Sequence, residues 1–253
     1  MRRRALLAAV LCMPFAALGQ GKLRRIGFLG TGSASAMAKP IEALRAGLRK
    51  LGYIEGRNIA IDYRWGDGKA ERLPGLAAEL IRLKVELIVV WATPAALAAK
   101  RATSTLPIVM VSVGDPVSTG LVASLARPGG NVTGMANLTE TVISKQVELL
   151  TQVIPGLSRI AILRYPDNPS LASQVKGAEA TARALGLQLQ IVDVRALEDF
   201  NAAFAAIMAA RAGGLLVLAD ALFLSERNRI LWGSRHRAIP RRSRLRGQDS
   251  AWS

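Results

Sequence analysis

The chain has 253 residues, of which 51% are hydrophobic and 21% charged, with one Cys and a formal net charge of +16. This composition is that of an ordinary globular protein and excludes a disordered, collagen-like or disulfide-stapled chain. Half of the positive excess lies at the two ends, in Arg2–Arg4 and in residues 235–253. Because the rest is scattered and only 5% of the residues are aromatic, we predict a solvated basic surface and no nucleic-acid partner.

Residues 1–20 have the pattern of an export signal. Arg2–Arg4 form a charged start, an uncharged apolar run follows, and small residues precede a cleavage point at Gln20. Cys12 follows Leu11, whereas lipoprotein signals have a small residue at that point, so we expect no lipid anchor. The alternative is a buried or membrane-anchoring helix, although the uncharged run is short for a bilayer span. The sequence therefore predicts a cleaved leader and a periplasmic location.

From residue 24 onward, short β-rich runs alternate with amphipathic helical stretches, which is the pattern of parallel sheets with crossover helices. The predicted strands are Arg25–Leu29, Ile59–Arg64, Glu86–Trp91, Ile108–Val113, Val132–Met135, Arg159–Leu163, Leu187–Val194 and Gly214–Leu218. The predicted helices are Pro40–Leu51, Leu73–Leu83, Pro94–Thr103, Thr139–Val153, Pro169–Leu185, Leu197–Ala210 and Leu224–Leu231. Eight strands are too many for one small sheet, so we predict an α/β fold with two lobes.

The break between the predicted lobes lies near residues 136–142, which divides the chain into domains 21–138 and 139–234. Five strands precede this break and three follow it, whereas a domain of this kind needs about five. From Arg235 the sequence has no apolar period and a run of Arg that repels itself. We therefore expect an incomplete second lobe, a disordered basic tail over residues 235–253, and a truncated or frameshifted reading frame.

No residues have a spacing typical of a catalytic or metal-binding set. The only histidine is His236, in the basic tail, so neither a Ser-His-Asp nor a Cys-His set can be assembled. The loop Gly27–Ser33 lacks the third glycine of a dinucleotide fingerprint and the lysine of a Walker loop. Thr31 and Ser33 in this loop remain candidate hydroxyl donors to a ligand. We expect no enzyme activity, cofactor or metal, although a carboxylate-based enzyme stays open as an alternative.

Polar residues recur where predicted strands end: Thr93, Asp115, Asn168 and Asp220. Ligands of open parallel sheets bind outside these strand ends, so all four are candidate ligand-binding residues. The simpler interpretation is that the first three, each followed by proline, are N-caps of ordinary helices. Because they occur in both halves of the chain, they predict two facing rims of helix N-termini, which suit the carboxylate of a small ligand in a cleft.

The run from Ser112 to Gly134, SVGDPVSTGLVASLARPGGNVTG, resembles the ABC-transporter substrate-binding protein family that includes tryptophan- and phenylalanine-binding proteins. Further stretches carry the same resemblance: Leu44–Tyr53, Glu55–Asn58, Ala92–Ala95 and Lys145–Leu150. The resemblance implies two Rossmann-like lobes of the periplasmic binding protein type I kind, with a ligand between them. It also implies a small organic solute, with amino acids among the options, and a membrane permease as partner. By the same resemblance, the pocket positions map onto these residues: Thr31–Ser33, Thr93, Asp115, Asn168 and Asp220.

Two other classes of function remain as alternatives. An effector-binding regulator of the lac-repressor type shares the lobed architecture, but it needs a helix-turn-helix before residue 24, where the sequence has the export signal instead. A nucleotide- or carboxylate-dependent α/β enzyme needs a phosphate loop or a catalytic pair, and the sequence shows neither. We therefore expect an exported solute-binding protein that performs no chemistry.

Overall fold

The computed structural model of the protein describes residues 23–137 and 140–233. The strands are β1 (Arg24–Gly30), β2 (Ile59–Trp65), β3 (Leu87–Trp91), β4 (Ile108–Gly114), β5 (Val132–Asn137), β6 (Arg159–Arg164), β7 (Gln188–Asp193) and β8 (Gly214–Val217). The helices are α1 (Ala38–Lys50), α2 (Leu73–Arg82), α3 (Thr93–Ala102), α4 (Glu140–Val153), α5 (Leu171–Ala184), α6 (Asp199–Ala209), α7 (Ala221–Ser225) and α8 (Arg227–Gly233). A short 3-10 turn, Ala70–Arg72, precedes α2.

All eight predicted strands are present, and their ends lie within two residues of the predicted ones. The prediction of one helix over Leu224–Leu231 is wrong, because this stretch divides into α7 and α8 and the first of them begins earlier, at Ala221. Asp220 caps that earlier start with its side chain. The predicted export signal, the basic tail and residues 138–139 of the predicted lobe boundary lie outside the described residues.

The N-terminal lobe, residues 23–137, is built on a five-stranded sheet of order β2-β1-β3-β4-β5, in which every neighbouring pair is parallel. The central strands are buried on both faces, as parallel sheets with helices on both sides require. On one face Ile41 of α1 and Met37, which precedes this helix, pack against Ile26 and Phe28. On the other face α2 and α3 cover the sheet, with Leu80 of α2 in the core.

The C-terminal lobe, residues 140–233, has a parallel three-stranded sheet of order β7-β6-β8 in its described part. Its central strand β6 is a run of four fully buried residues, Ile160–Leu163. Helices α4 to α8 all contribute to one apolar cluster around this strand. Both sheets therefore have the mixed α/β, parallel architecture that the alternation of apolar runs predicts. No helix in the described part of the chain is long and apolar enough to span a bilayer.

Candidate functional site

A cavity of about 420 Å³ lies where the strands of the two sheets reach their carboxyl ends. The N-terminal lobe contributes Trp91 from β3, Ser112 and Gly114 from β4, and Asn137 from β5. The C-terminal lobe contributes the start of α5, the end of β8, and residues of α7 and α8. This volume suits a small organic molecule. The carboxyl ends of parallel strands are also where open α/β sheets bind ligands.

A chain of hydrogen bonds crosses from one lobe to the other along the cavity wall. The backbone N–H of Gly114 donates to Thr93 Oγ1 over 3.1 Å, and the Thr93 hydroxyl donates to Ser170 Oγ over 3.1 Å. The Ser170 hydroxyl donates to Asn168 Oδ1, and the Asn168 amide donates to Asp220 Oδ2, each over 2.7 Å. The four side-chain members are at most 9% exposed. Buried hydrogen bonds in series strengthen one another, and the bond from Thr93 to Ser170 links the two lobes.

Asp220 is the last residue in this series of hydrogen bonds and is the acidic residue of the cavity wall. Its Oδ1 accepts the N–H of Leu222 over 2.9 Å, which caps α7. Burial raises the pKa of the Asp220 carboxyl to about 6, although the hydrogen bonds from Leu222 and Asn168 oppose this rise. None of the ion pairs in the described residues involves Asp220. A buried carboxylate without a cation favours a positively charged partner, so a ligand cation is well placed here.

Three of the six candidate ligand-binding residues line this cavity: Thr93, Asn168 and Asp220. The other three lie outside its wall. Thr31 is fully buried and its hydroxyl donates to the carbonyl oxygen of Trp91. Ser33 forms a local turn, in which its Oγ accepts the N–H of Ala36. Asp115 begins a loop, where its Oδ1 accepts the N–H of Ser118.

The simpler interpretation, in which Thr93, Asp115 and Asn168 are N-caps of helices that begin with proline, is wrong. Thr93 is the first residue of α3, and its side chain crosses to Ser170 instead of capping the helix. The left-handed φ of 73° at Ala92 turns the chain so that Thr93 faces the other lobe. Asn168 precedes α5 by three residues and its Oδ1 accepts from Ser170. Asp115 is followed by turns rather than by a helix, so Asp220 is the one side-chain cap among the four.

Several cavity residues are not among the sequence candidates. Ser170 joins the two lobes, and Gln174 lines the wall one turn further along α5. The helical spacing of the sequence could have indicated Gln174, because it places this residue on the same helical face as Leu171 and Ala178, which are buried. An apolar wall completes the cavity, and its members come from α7 and α8: Phe223, Leu224, Ile230 and Leu231.

Fold and site together define a two-lobed α/β protein with a ligand cavity between its sheets. Residues 27–241 match the family described as ABC transporter substrate binding protein, and the chain belongs to this family. The chain is 30% identical, over 161 residues, to the tyrosine-binding protein of Clostridioides difficile strain R20291. This match covers 64% of the chain and 46% of that protein, so the chain spans about half the length of the curated relative it matches.

Two solved structures are similar to the chain over most of its length. A Streptococcus pneumonia ABC domain in complex with L-Trp has a TM-score of 0.75 and 25% identity, over 86% of this chain and 72% of that one. A ligand-free, open substrate binding protein with adhesive properties, from Clostridium difficile, has the same identity and coverages but a TM-score of 0.53.

Proposed function

We propose that the cavity binds an amino acid as a zwitterion, with its ammonium group at Asp220. The observation that carries this proposal is the buried Asp220 carboxylate, which has no ion-pair partner among the described residues and borders a cavity of ligand size. Burial disfavours the ionised form of this carboxyl and raises its pKa to about 6, so a cation beside it would stabilise the ionised form. An ammonium group would supply the missing charge and additional hydrogen bonds, so it would favour the ionised acid.

The opposite wall of the cavity suits the ligand's carboxylate. Helix α3 begins at Thr93 on this wall, and the first N–H groups of a helix have no partner within the helix. The positive end of the helix dipole favours an anion at the same place. Ser112 and Asn137, which are hydrogen-bonded to each other over 3.0 Å, add polar groups beside it. The two charged groups of a zwitterion would thus contact different lobes and draw them together.

The remaining wall supports an apolar or aromatic side chain on the ligand. Leu224 and Leu231 on this wall are exposed, and Trp91 of the other lobe is half-buried, so the ligand would remove further apolar surface from water. The relatives agree with this choice, since one is a tyrosine-binding protein and another is solved with L-Trp. The proposed ligand class is therefore the larger apolar and aromatic amino acids.

We infer further that the protein works outside the cytoplasm and presents its ligand to the permease of an ABC importer. Membership of the substrate-binding family supports this role, and closure of two lobes around a ligand gives a permease a surface that reports occupancy. Fractionation of cells with N-terminal sequencing tests the location. The proposal predicts protein outside the cytoplasm that begins near Gln20, and an intact Met1 on cytoplasmic protein would contradict it.

A binding screen tests the ligand class directly. We would titrate the full chain with L-tryptophan, L-tyrosine, L-phenylalanine and L-leucine, and with sugars and dicarboxylates as other ligand classes. The measured quantities are the heat of binding and the melting temperature. Asp220→Asn should weaken the binding of every amino acid. Asp167→Asn is the matched control, because Asp167 is exposed, pairs with Arg195 and lies outside the cavity wall. Binding of sugars or dicarboxylates in place of amino acids would refute the proposal.

A further inference from the structure

Gln174 is a buried polar residue of the cavity wall that the interlobe hydrogen-bond chain does not use. It is 6% exposed, and its side chain has no hydrogen-bond partner among the residues that the structure describes. The other buried polar residues of the described chain all form side-chain hydrogen bonds: Thr31, Thr93, Asn168, Ser170 and Asp220. Gln174 is therefore the exception within this set.

The position of Gln174 on α5 excludes a solvated surface role. Its neighbours at helical spacing, Leu171 and Ala178, are both buried in the core of the C-terminal lobe. Gln190 Oε1 is the one fully buried side-chain polar atom without a partner in the described residues, so the Gln174 carboxamide keeps access to water in the cavity. A ligand that displaces this water leaves the amide unpaired unless another group replaces those hydrogen bonds. Because Gln174 lines the cavity, the bound ligand is the group that can do so.

We propose that Gln174 is a specificity residue, whose carboxamide hydrogen-bonds a neutral polar atom on the side chain of the bound amino acid. This inference rests on the proposed function, in which Asp220 and the start of α3 bind the two charged groups of the ligand. A neutral amide, which both donates and accepts, matches a phenol hydroxyl or an indole N–H. A ligand without such an atom leaves the amide unpaired, so tyrosine and tryptophan should bind about 10- to 100-fold more tightly than phenylalanine.

The variant Gln174→Met separates a ligand-binding role from a structural one. Methionine has a similar length and no strong hydrogen-bonding group, so it removes the amide's hydrogen bonding and should change the melting temperature of the ligand-free protein little. It should also lower the affinity for tyrosine to about that for phenylalanine. The matched control is Gln190→Met on β7, because Gln190 Oε1 is buried without a partner in the described residues and lies outside the cavity. The control should change stability and leave all affinities unchanged.

Calorimetric titration of the full chain with L-tyrosine, L-phenylalanine, L-tryptophan and 1-methyl-L-tryptophan tests the assignment. We expect the parent to prefer tyrosine to phenylalanine and tryptophan to its methylated form, and Gln174→Met to lose both preferences. An equal loss of affinity for all four ligands would overturn the assignment, since Gln174 would then contact the common part of the amino acid. Unchanged preferences in Gln174→Met would overturn it while leaving the proposed function intact. If none of the four ligands binds, the proposed function fails and this assignment fails with it.

Discussion

Substituting Gly114 by alanine should hold the two lobes apart. A Cβ atom at Gly114, in the N-terminal lobe, would lie 2.7 Å from Ser170 Oγ and 3.0 Å from Ser170 Cβ, in the C-terminal lobe. Contacts this short force one side to move, and overpacking of this kind costs about 1 to 3 kcal/mol. The lobes can escape the clash by opening. In the proposed function the ligand contacts both lobes, so its binding would bear this cost and the Kd should rise about 5- to 150-fold.

The assay is calorimetric titration with L-tryptophan or L-tyrosine, accompanied by thermal unfolding of the ligand-free protein. Gly47→Ala is the matched control, because Gly47 lies in α1 with nothing within 4 Å of an added Cβ. This control should leave the Kd unchanged and stabilise α1 slightly, since alanine is the better helix former.

A double-mutant cycle identifies the contact responsible. Ser170→Gly removes both atoms that the new Cβ would meet, so Gly114→Ala should cost little in the Ser170→Gly background. An unchanged Kd in the single variant Gly114→Ala would refute the reasoning, because the bound lobes would then not approach as closely as they do in this structure.

Three further predictions concern residues of the cavity wall and of the contacts between the lobes. Burial raises the pKa of Asp220 from its ordinary value of 3.8 to about 6, so between about pH 4 and 6 the folded, ligand-free protein binds more protons than the unfolded chain. The free energy of unfolding should therefore fall with rising pH across this window and then level off. Urea unfolding should show this fall in the parent, and Asp220→Asn should abolish it. In the parent, the affinity for amino acids should drop about tenfold from pH 7.5 to 5, because Asp220 becomes protonated. Ala92→Gly should stabilise the protein by about 1 kcal/mol, since φ 73° and ψ 158° suit only glycine, and a clear loss of stability would contradict this. Tyr165→Phe should change the Kd less than about threefold, because Tyr165 lies outside the cavity wall and its hydroxyl makes a long, 3.4 Å hydrogen bond with the Gly68 carbonyl oxygen of the other lobe.

The fold could be predicted because its signals are local. A strand such as Arg159–Arg164 is a short apolar run between turns, and burial on both faces leaves no other explanation for it. The order of such runs predicts the two parallel sheets, and the motif between Ser112 and Gly134 predicts the family. The split of the last helical stretch could not be predicted, because the Asp220 cap that starts α7 looks in sequence like any acid in a loop.

The site could be predicted only in part, because its geometry depends on contacts between lobes. Thr93 and Asn168 stand before prolines, which is also the signature of a helix cap, and only the tertiary structure turns them toward Ser170. Ser170 itself has no sequence signal, since a serine near a helix start is common. Gln174 differs, because a polar residue within an apolar helical stripe is visible from the spacing alone.

The pairing of the ligand's ammonium group with Asp220 tests the central claim most directly. We would measure the affinities of L-tyrosine and of 3-(4-hydroxyphenyl)propionate, which lacks the ammonium group, for the parent, Asp220→Asn and Asp167→Asn. The account predicts that the parent and Asp167→Asn prefer tyrosine by about 10-fold or more, and that Asp220→Asn loses this preference. An equal preference for tyrosine in all three proteins would contradict it, because the ammonium group would then bind elsewhere than at Asp220.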